Sequence, residues 1–279
     1  LTIVGGTEPV VNASVNGGTP VPLLVDTGST GLVLPFQNVG GLLGVLQLGL
    51  PTGFGFGGYS GGLDYLYATY NAPVNFGGGL LTARTPVNVE LFAFPTSIQS
   101  AMNNGFTFQS FFAQDGVSGV LGVGPNAGGP GPSIPLQALP SPYNQGLLIN
   151  EAAASPYLQF GPAPTNLGTP LAILTGAPIT TLDVQVGNGG PIQAISSIVD
   201  SGGVQGTIPF NAPVGSTISV YAPGTNGKLL YSYTLDGGPA DTAYFPVASS
   251  GLMNTGALPF LQHPDFIDYG TGDQTFYGT

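Results

Sequence analysis

Apolar and polar positions alternate along much of this chain with the period of two that puts every other side chain on one face of a strand. Leu182-Asp183-Val184-Gln185-Val186 alternates strictly, then meets the turn residues Gly187-Asn188-Gly189-Gly190 and a second extended run, Ile192 to Val199. That order predicts a hairpin. Asn12 to Val25 reads the same way around Asn16-Gly17-Gly18, a strong tight-turn signal. Leu63 to Tyr70 and Leu80 to Phe94 supply further strands, and Thr217 to Tyr221 pairs with Leu229 to Leu235 around Gly224 to Gly227. Helix signals are few. Thr96-Ser97 can cap a short helix through Asn103 with Gly105 as its stop, and Ile134 to Leu139 can form one more short turn. The Gly- and Pro-rich pieces at 122–132 and 161–170 read as connections. The expected fold class is all-β with few short helices.

Two of the extended runs end in the same device. Leu23-Leu24-Val25 leads into Asp26-Thr27-Gly28, and Ser197-Ile198-Val199 leads into Asp200-Ser201-Gly202. Each is followed by another apolar run closed by Pro, Leu32-Val33-Leu34-Pro35 and Thr207-Ile208-Pro209. The copies lie 174 residues apart, which predicts two related lobes, residues 1–165 and 166–279. Two carboxylates on matching loops can meet at a pseudo-twofold axis and share one proton, because both cannot ionise readily at close range. In that arrangement Gly28 and Gly202 let the loops approach, and the hydroxyls of Thr27 and Ser201 can bond the backbone of the opposite loop. Ser29, in the fourth position, can orient the Asp26 carboxylate. Each Asp-x-Gly alone would be read as a plain turn; the pair with its flanks would not.

Composition narrows the chemistry. Thirteen acids stand against two bases, Arg84 and Lys228, for a formal net charge of −11. Nucleic-acid binding needs cations to displace counterions, so it is excluded, as is docking to anionic lipid through a basic patch. With no Cys and one His, neither a thiolate site nor a zinc site is expected, and water held between two carboxylates needs no cofactor. His263 has no Gly-x-Ser-x-Gly elbow to serve and reads as a packing residue. Asp236 and Asp241 match no calcium-loop spacing and read as turn residues. Gly53-Phe54-Gly55-Phe56-Gly57-Gly58 fits a dinucleotide-binding spacing, but no βαβ pattern surrounds it and the chain holds 47 Gly. Leu42 to Leu50 is too short to span a bilayer. The chain opens at Leu1 without an initiator Met, so an export signal would lie outside it.

The residues around both motifs resemble the two-lobed pepsin-like aspartic proteases. Leu24-Val25-Asp26-Thr27-Gly28-Ser29-Thr30-Gly31-Leu32 follows the family's first active-site loop. Gly119-Val120-Leu121-Gly122-Val123-Gly124-Pro125 is similar to the segment that threads behind it, Ile198 to Gly202 to the second loop, and Phe260 to Tyr277 to the closing strands. The resemblance implies a bilobal acid-protease fold with Asp26 and Asp200 as the catalytic pair, a polypeptide substrate and a hairpin flap carrying a Tyr. Tyr70, 44 residues after Asp26, is the expected flap residue, ahead of Tyr65, Tyr67 and Tyr59. A Gly-rich, Lys-poor, Cys-free chain of this kind is similar to the C-terminal protease domain of mycobacterial PE-PGRS surface proteins. That implies a monomeric domain of a longer, exported protein displayed at the cell envelope.

Three positions depart from the pattern. Gly203 replaces the usual Ser or Thr, so Asp200 is expected to lack the hydroxyl that Ser29 gives Asp26, leaving an asymmetric, weaker dyad. Val33 replaces a Trp that bonds the flap Tyr, which predicts a looser flap. Met253-Asn254-Thr255-Gly256 matches the second threading segment only weakly. The alternative function is therefore a catalytically weak module that binds peptide or glycan on the same fold.

Overall fold

The computed structural model describes residues 1–204, 206–208, 212–224, 227–235 and 251–278, with the main chain of 243–246. Pro209, the tip of the 224–227 turn and the turn acids Asp236 and Asp241 lie outside the described residues.

The first lobe is a nine-stranded sheet. At its centre Gly119–Val123 inserts between the strand Val21–Asp26, which it pairs in parallel, and Thr30–Pro35, which it pairs antiparallel. All positions of Thr30–Pro35 and of Gly119–Val123 are buried, which is why these segments read as continuous apolar runs and not as alternating ones. Leu23, Val25, Leu32, Leu34, Leu121 and Val123 form the core beneath the Asp26 loop. The hairpin at Asn16-Gly17 forms as expected, with both residues at positive φ (53° and 77°) between the strands Glu8–Val15 and Val21–Asp26.

The second lobe repeats the device on a smaller sheet, in which Ile192–Ile198 lies between Ile179–Val186 and Met253–Asn254. The last pairing is parallel, with Ser197 opposite Met253 and Ile198 opposite Asn254. A further five-stranded sheet joins Gly146–Asn150, Tyr157–Phe160 and Pro170–Leu174 to the late strands Asp265–Asp268 and Gln274–Tyr277. The helix Ile98–Asn104 begins at Ser97, whose side chain accepts the Ser100 N–H, and stops at Gly105. The short helical turn expected near 134–139 is a 3₁₀ segment, Pro135–Ala138. Among the described residues, three further α-helices, Gly41–Leu48, Phe108–Phe112 and Leu258–Gln262, and the 3₁₀ segment Phe36–Val39 form without having been expected from the sequence pattern. None among the described residues is long and apolar enough to cross a membrane.

The joining sheet buries two acids with no base beside them. Asp265 is fully buried and accepts from the Gln274 amide at 2.8 Å; Glu151 is buried nearby. Burial raises both carboxyls to about 8, and the charge of Asp265 adds to the effect on Glu151. Burial likewise raises Glu8 and Glu90 to about 7. Between an unfolded value near 4.5 or 3.8 and a folded value near 8, the folded chain holds protons that the unfolded chain has released. Their stabilising contribution is complete below the unfolded value and is lost as pH rises through the folded one. The thermal unfolding midpoint is therefore expected to fall steadily from pH 4 to pH 8. The double variant Glu151→Gln/Asp265→Asn should show a flatter profile, and equal slopes for the two proteins would refute the assignment.

Candidate active site

Asp26 and Asp200 sit at the ends of the two central strand runs and face one another. Four bonds tie their loops together. The Thr27 N–H donates to Ser201 Oγ (3.0 Å) and the Ser201 N–H donates to Thr27 Oγ1 (2.9 Å), while Thr27 Oγ1 donates to the Val199 carbonyl and Ser201 Oγ to the Val25 carbonyl, each at 2.8 Å. Thr27 and Ser201 are fully buried, so each exchange is shielded from water and symmetric about the axis between the lobes. The glycines close the approach. A Cβ on Gly28 would lie 2.6 Å from Asp200 Cγ, and one on Gly202 would lie 2.7 Å from Asp26 Cγ.

Each carboxylate is oriented by its own loop. Asp26 Oδ1 accepts the Gly28 N–H at 2.7 Å, and Oδ2 accepts the Ser29 hydroxyl at 2.5 Å. Asp200 Oδ1 accepts the Gly202 N–H at 2.9 Å, and Oδ2 accepts the Asn254 amide at 2.5 Å. The hydroxyl expected to be missing at Gly203 is thus replaced by an amide from the threading segment. Thr255 Oγ1, the next residue, accepts the Asp200 N–H at 3.1 Å. These contacts explain why Met253-Asn254-Thr255-Gly256 departs from an apolar pattern.

The Asp26 carboxyl is pushed well above the usual range, first by burial, then by the charge of Asp200 and the hydrogen bond between the two; Ser29 and Gly28 pull the other way. Two Asp residues serving as unrelated turns would show neither the shared hydrogen bond nor the joined loops.

A hairpin made of Gly53–Tyr59 and Leu63–Ala72 overhangs the pair, with Tyr59 opposite Leu63. Tyr59, Ser60 and Gly61 line two cavities of about 480 and about 820 Å³, and Asp26, Asp200 and Asn254 line both as well. Leu24, Val120, Phe111 and Phe112 complete the smaller cavity with Asp115 at its edge; Phe56, Pro130, Ile198 and Leu252 contribute to the larger. Tyr70 lies elsewhere. It is buried in the first-lobe core and pairs with Val87 near the base of the hairpin. The tyrosine over the carboxylates is Tyr59, next to the turn; Tyr65 is fully buried beneath it.

Val33 is buried in the aromatic cluster below this hairpin. The Tyr59 ring stacks on Tyr65 at 5.4 Å and meets Phe112 edge-on at 5.2 Å. The Gly62 carbonyl accepts from Thr96 N (2.9 Å) and Ser100 Oγ (2.8 Å). Ring contacts and bonds to the start of the 98–104 helix brace this hairpin in the place of the Trp that Val33 replaces. The dinucleotide-like spacing proves to be its first strand. A Cβ at Gly55 would meet the Tyr67 hydroxyl, and one at Gly57 the Tyr65 hydroxyl, both at 2.5 Å, while Phe54 and Phe56 face outward and are exposed. His263 bonds the Leu230 carbonyl through Nε2 (2.8 Å), as a packing residue would.

The pattern of the PE-PGRS C-terminal aspartyl peptidase-like domain matches residues 1–276. The chain belongs to that family. PE cleavage protein A of Mycobacterium tuberculosis (strain H37Rv) is 49% identical over 297 residues, covering 99% of this chain and 51% of that protein. PE cleavage protein A of Mycobacterium marinum is also 49% identical, over 295 residues, with the same coverage. This PE-PGRS peptidase-like domain thus spans about half the length of the curated relatives it matches. The crystal structure of aspartic proteinase from Irpex lacteus superposes with a TM-score of 0.64 at 17% identity, covering 98% of this chain and 95% of that one. The likeness shows that the PE-PGRS domain has the bilobal pepsin-like fold.

Proposed function

We propose that this chain is an aspartic endopeptidase in which Asp26 and Asp200 activate a water between them. The observation that carries the reading is the pair itself: two carboxylates brought together by reciprocally bonded loops, one of them pushed well above its ordinary range by burial and by its neighbour. The pair shares one proton. The ionised member removes a proton from the water as it attacks the scissile carbonyl carbon. The neutral member donates a hydrogen bond to the carbonyl oxygen, where negative charge develops. Collapse of the tetrahedral intermediate returns a proton to the leaving nitrogen. Thr27, Ser201, Gly28 and Gly202 hold the geometry, and Ser29 orients Asp26.

The polypeptide lies extended beneath the hairpin. Gly53–Tyr59 is the edge strand of its sheet, which suits it to pair with an added strand. Side chains enter the two cavities, whose Leu, Phe and Tyr lining favours apolar groups. Family membership and the partial span of the relatives support a domain of a longer protein displayed at the mycobacterial surface.

A peptide library digested from pH 3 to pH 8 tests the function. Cleavage is expected between roughly pH 3 and 6, where one dyad proton is retained, and a statine-type transition-state mimic should abolish it. Absence of both cleavage and mimic binding at every pH would leave a peptide- or glycan-binding module instead.

A further inference from the structure

Asn254 occupies a position that its counterpart in the first lobe fills with an apolar residue. In the first lobe, the residue paired with the position two before the aspartate is Val120, opposite Leu24; in the second, Asn254 lies opposite Ile198. The space beside Asp200 is available because position 203 is Gly. A Cβ there would stand 3.1 Å from Asn254 Oδ1 and 3.2 Å from Asp200 Oδ2, so the Asn254 side chain takes up room that a Ser or Thr at 203 would need. Its orientation is fixed. The Gly256 N–H donates to Asn254 Oδ1 at 2.7 Å, which turns Nδ2 toward Asp200. The Thr207 hydroxyl accepts the Asn254 N–H at 2.8 Å.

The two orienting groups differ chemically. The Ser29 hydroxyl can donate to an ionised Asp26 or accept from a protonated one, whereas the NH₂ of Asn254 only donates. We infer that Asn254 is a positioning residue that breaks the symmetry of the pair, holding Asp200 ionised and leaving the shared proton on Asp26. Among the described residues, the other titratable groups around the pair are Tyr59 and Tyr65 on the hairpin side, which stay neutral through the acid range, and Asp115 in the smaller cavity, whose carboxyl burial raises above its ordinary value; Asp115 is unchanged in all four variants below. The inference rests on the proposed dyad chemistry.

Four variants of the protein test it: Asn254→Val, which copies Val120, Gly203→Ser, the double variant, and Asp26→Asn. The readouts are kcat, kcat/KM against pH, and far-UV circular dichroism to confirm folding. Loss of a charge-assisted donor should lower kcat in Asn254→Val on the order of tenfold or more and move the acidic limb of kcat/KM to higher pH. Gly203→Ser alone should also be slower, because it crowds Asn254, whereas Gly203→Ser/Asn254→Val should be faster than either single variant. A profile for Asn254→Val that superimposes on that of the unmodified protein, or a double variant no faster than Asn254→Val, overturns the inference. If Asn254→Val does not fold, the slowing by Gly203→Ser and its relief in the double variant still decide the matter. Asp26→Asn keeps the two failures apart: if it cuts normally, the dyad reading fails, whatever Asn254 does.

Discussion

Asp26→Asn is expected to lower kcat/KM on the order of a thousandfold or more while leaving the fold intact. Asparagine keeps the shape of the side chain, and its carbonyl can still accept from the Gly28 N–H or the Ser29 hydroxyl. It cannot exchange a proton with water or hold the proton shared with Asp200. Asp200→Asn should fall by a similar factor, and the double variant should be little worse than either, since the two groups act as one unit. Stability should move the opposite way. Asp26 is buried with its carboxyl held above the usual range by burial and by Asp200, so ionising it at neutral pH disfavours the folded state. The neutral amide removes that penalty, and Asp26→Asn is expected to unfold at a higher temperature than the unmodified protein at pH 7, with a smaller difference at pH 4. Steady-state cleavage of one peptide and thermal scans at both pH values check the pair of claims. Retention of the unmodified rate would remove Asp26 from the chemistry.

The parts of this site that the sequence displayed are those fixed by neighbours in the chain. Asp26-Thr27-Gly28-Ser29 and Asp200-Ser201-Gly202 carry their own strand, turn and donors, so their mutual bonds could be anticipated from residue type. The hairpin at Asn16-Gly17 and the helix after Ser97 were legible for the same local reason. The hairpin tip was not. Glycines at 55 and 57 exist because Tyr67 and Tyr65 cross beneath them, a requirement set by the partner strand and hidden in a chain that holds 47 Gly. The pattern therefore points to Tyr70, inside the better-patterned strand, and not to Tyr59 beside the turn. Gly41–Leu48 was missed because it starts from a glycine at positive φ with no side-chain cap. Phe108–Phe112 did leave a trace, since Thr107 and Ser110 form a reciprocal cap, but with Ser in place of the usual Glu or Gln. Asn254 left only an indirect one, a polar residue in a segment otherwise expected to be apolar: its amide meets a carboxylate 54 residues away, and the joined loops reveal that it stands where the hydroxyl absent from position 203 would have served.

A single methyl group at Gly28 should be nearly as damaging as removal of a carboxylate. In Gly28→Ala the new Cβ would start 2.6 Å from both Cγ and Oδ1 of Asp200, well inside contact distance. The loop cannot retreat, because Thr27 is bonded on both its N–H and its hydroxyl to the opposite lobe. Asp200 must swing away instead, which breaks its bonds to Gly202 and Asn254 and separates the pair. Gly202→Ala mirrors the effect, with its Cβ 2.7 Å from Asp26 Cγ. Overpacking of this kind destabilises by about 1–3 kcal/mol, which a two-lobed chain can survive, so the principal loss should be in rate, on the order of a hundredfold or more. Gly53→Ala is the matched control. Nothing lies within 4 Å of a Cβ there, and the residue does not need positive φ, so both rate and melting temperature should stay close to those of the unmodified protein. If Gly28→Ala and Gly53→Ala cut equally well, the two loops do not close as tightly in solution as the shared hydrogen bond requires, and the geometry on which water activation depends is not the working one.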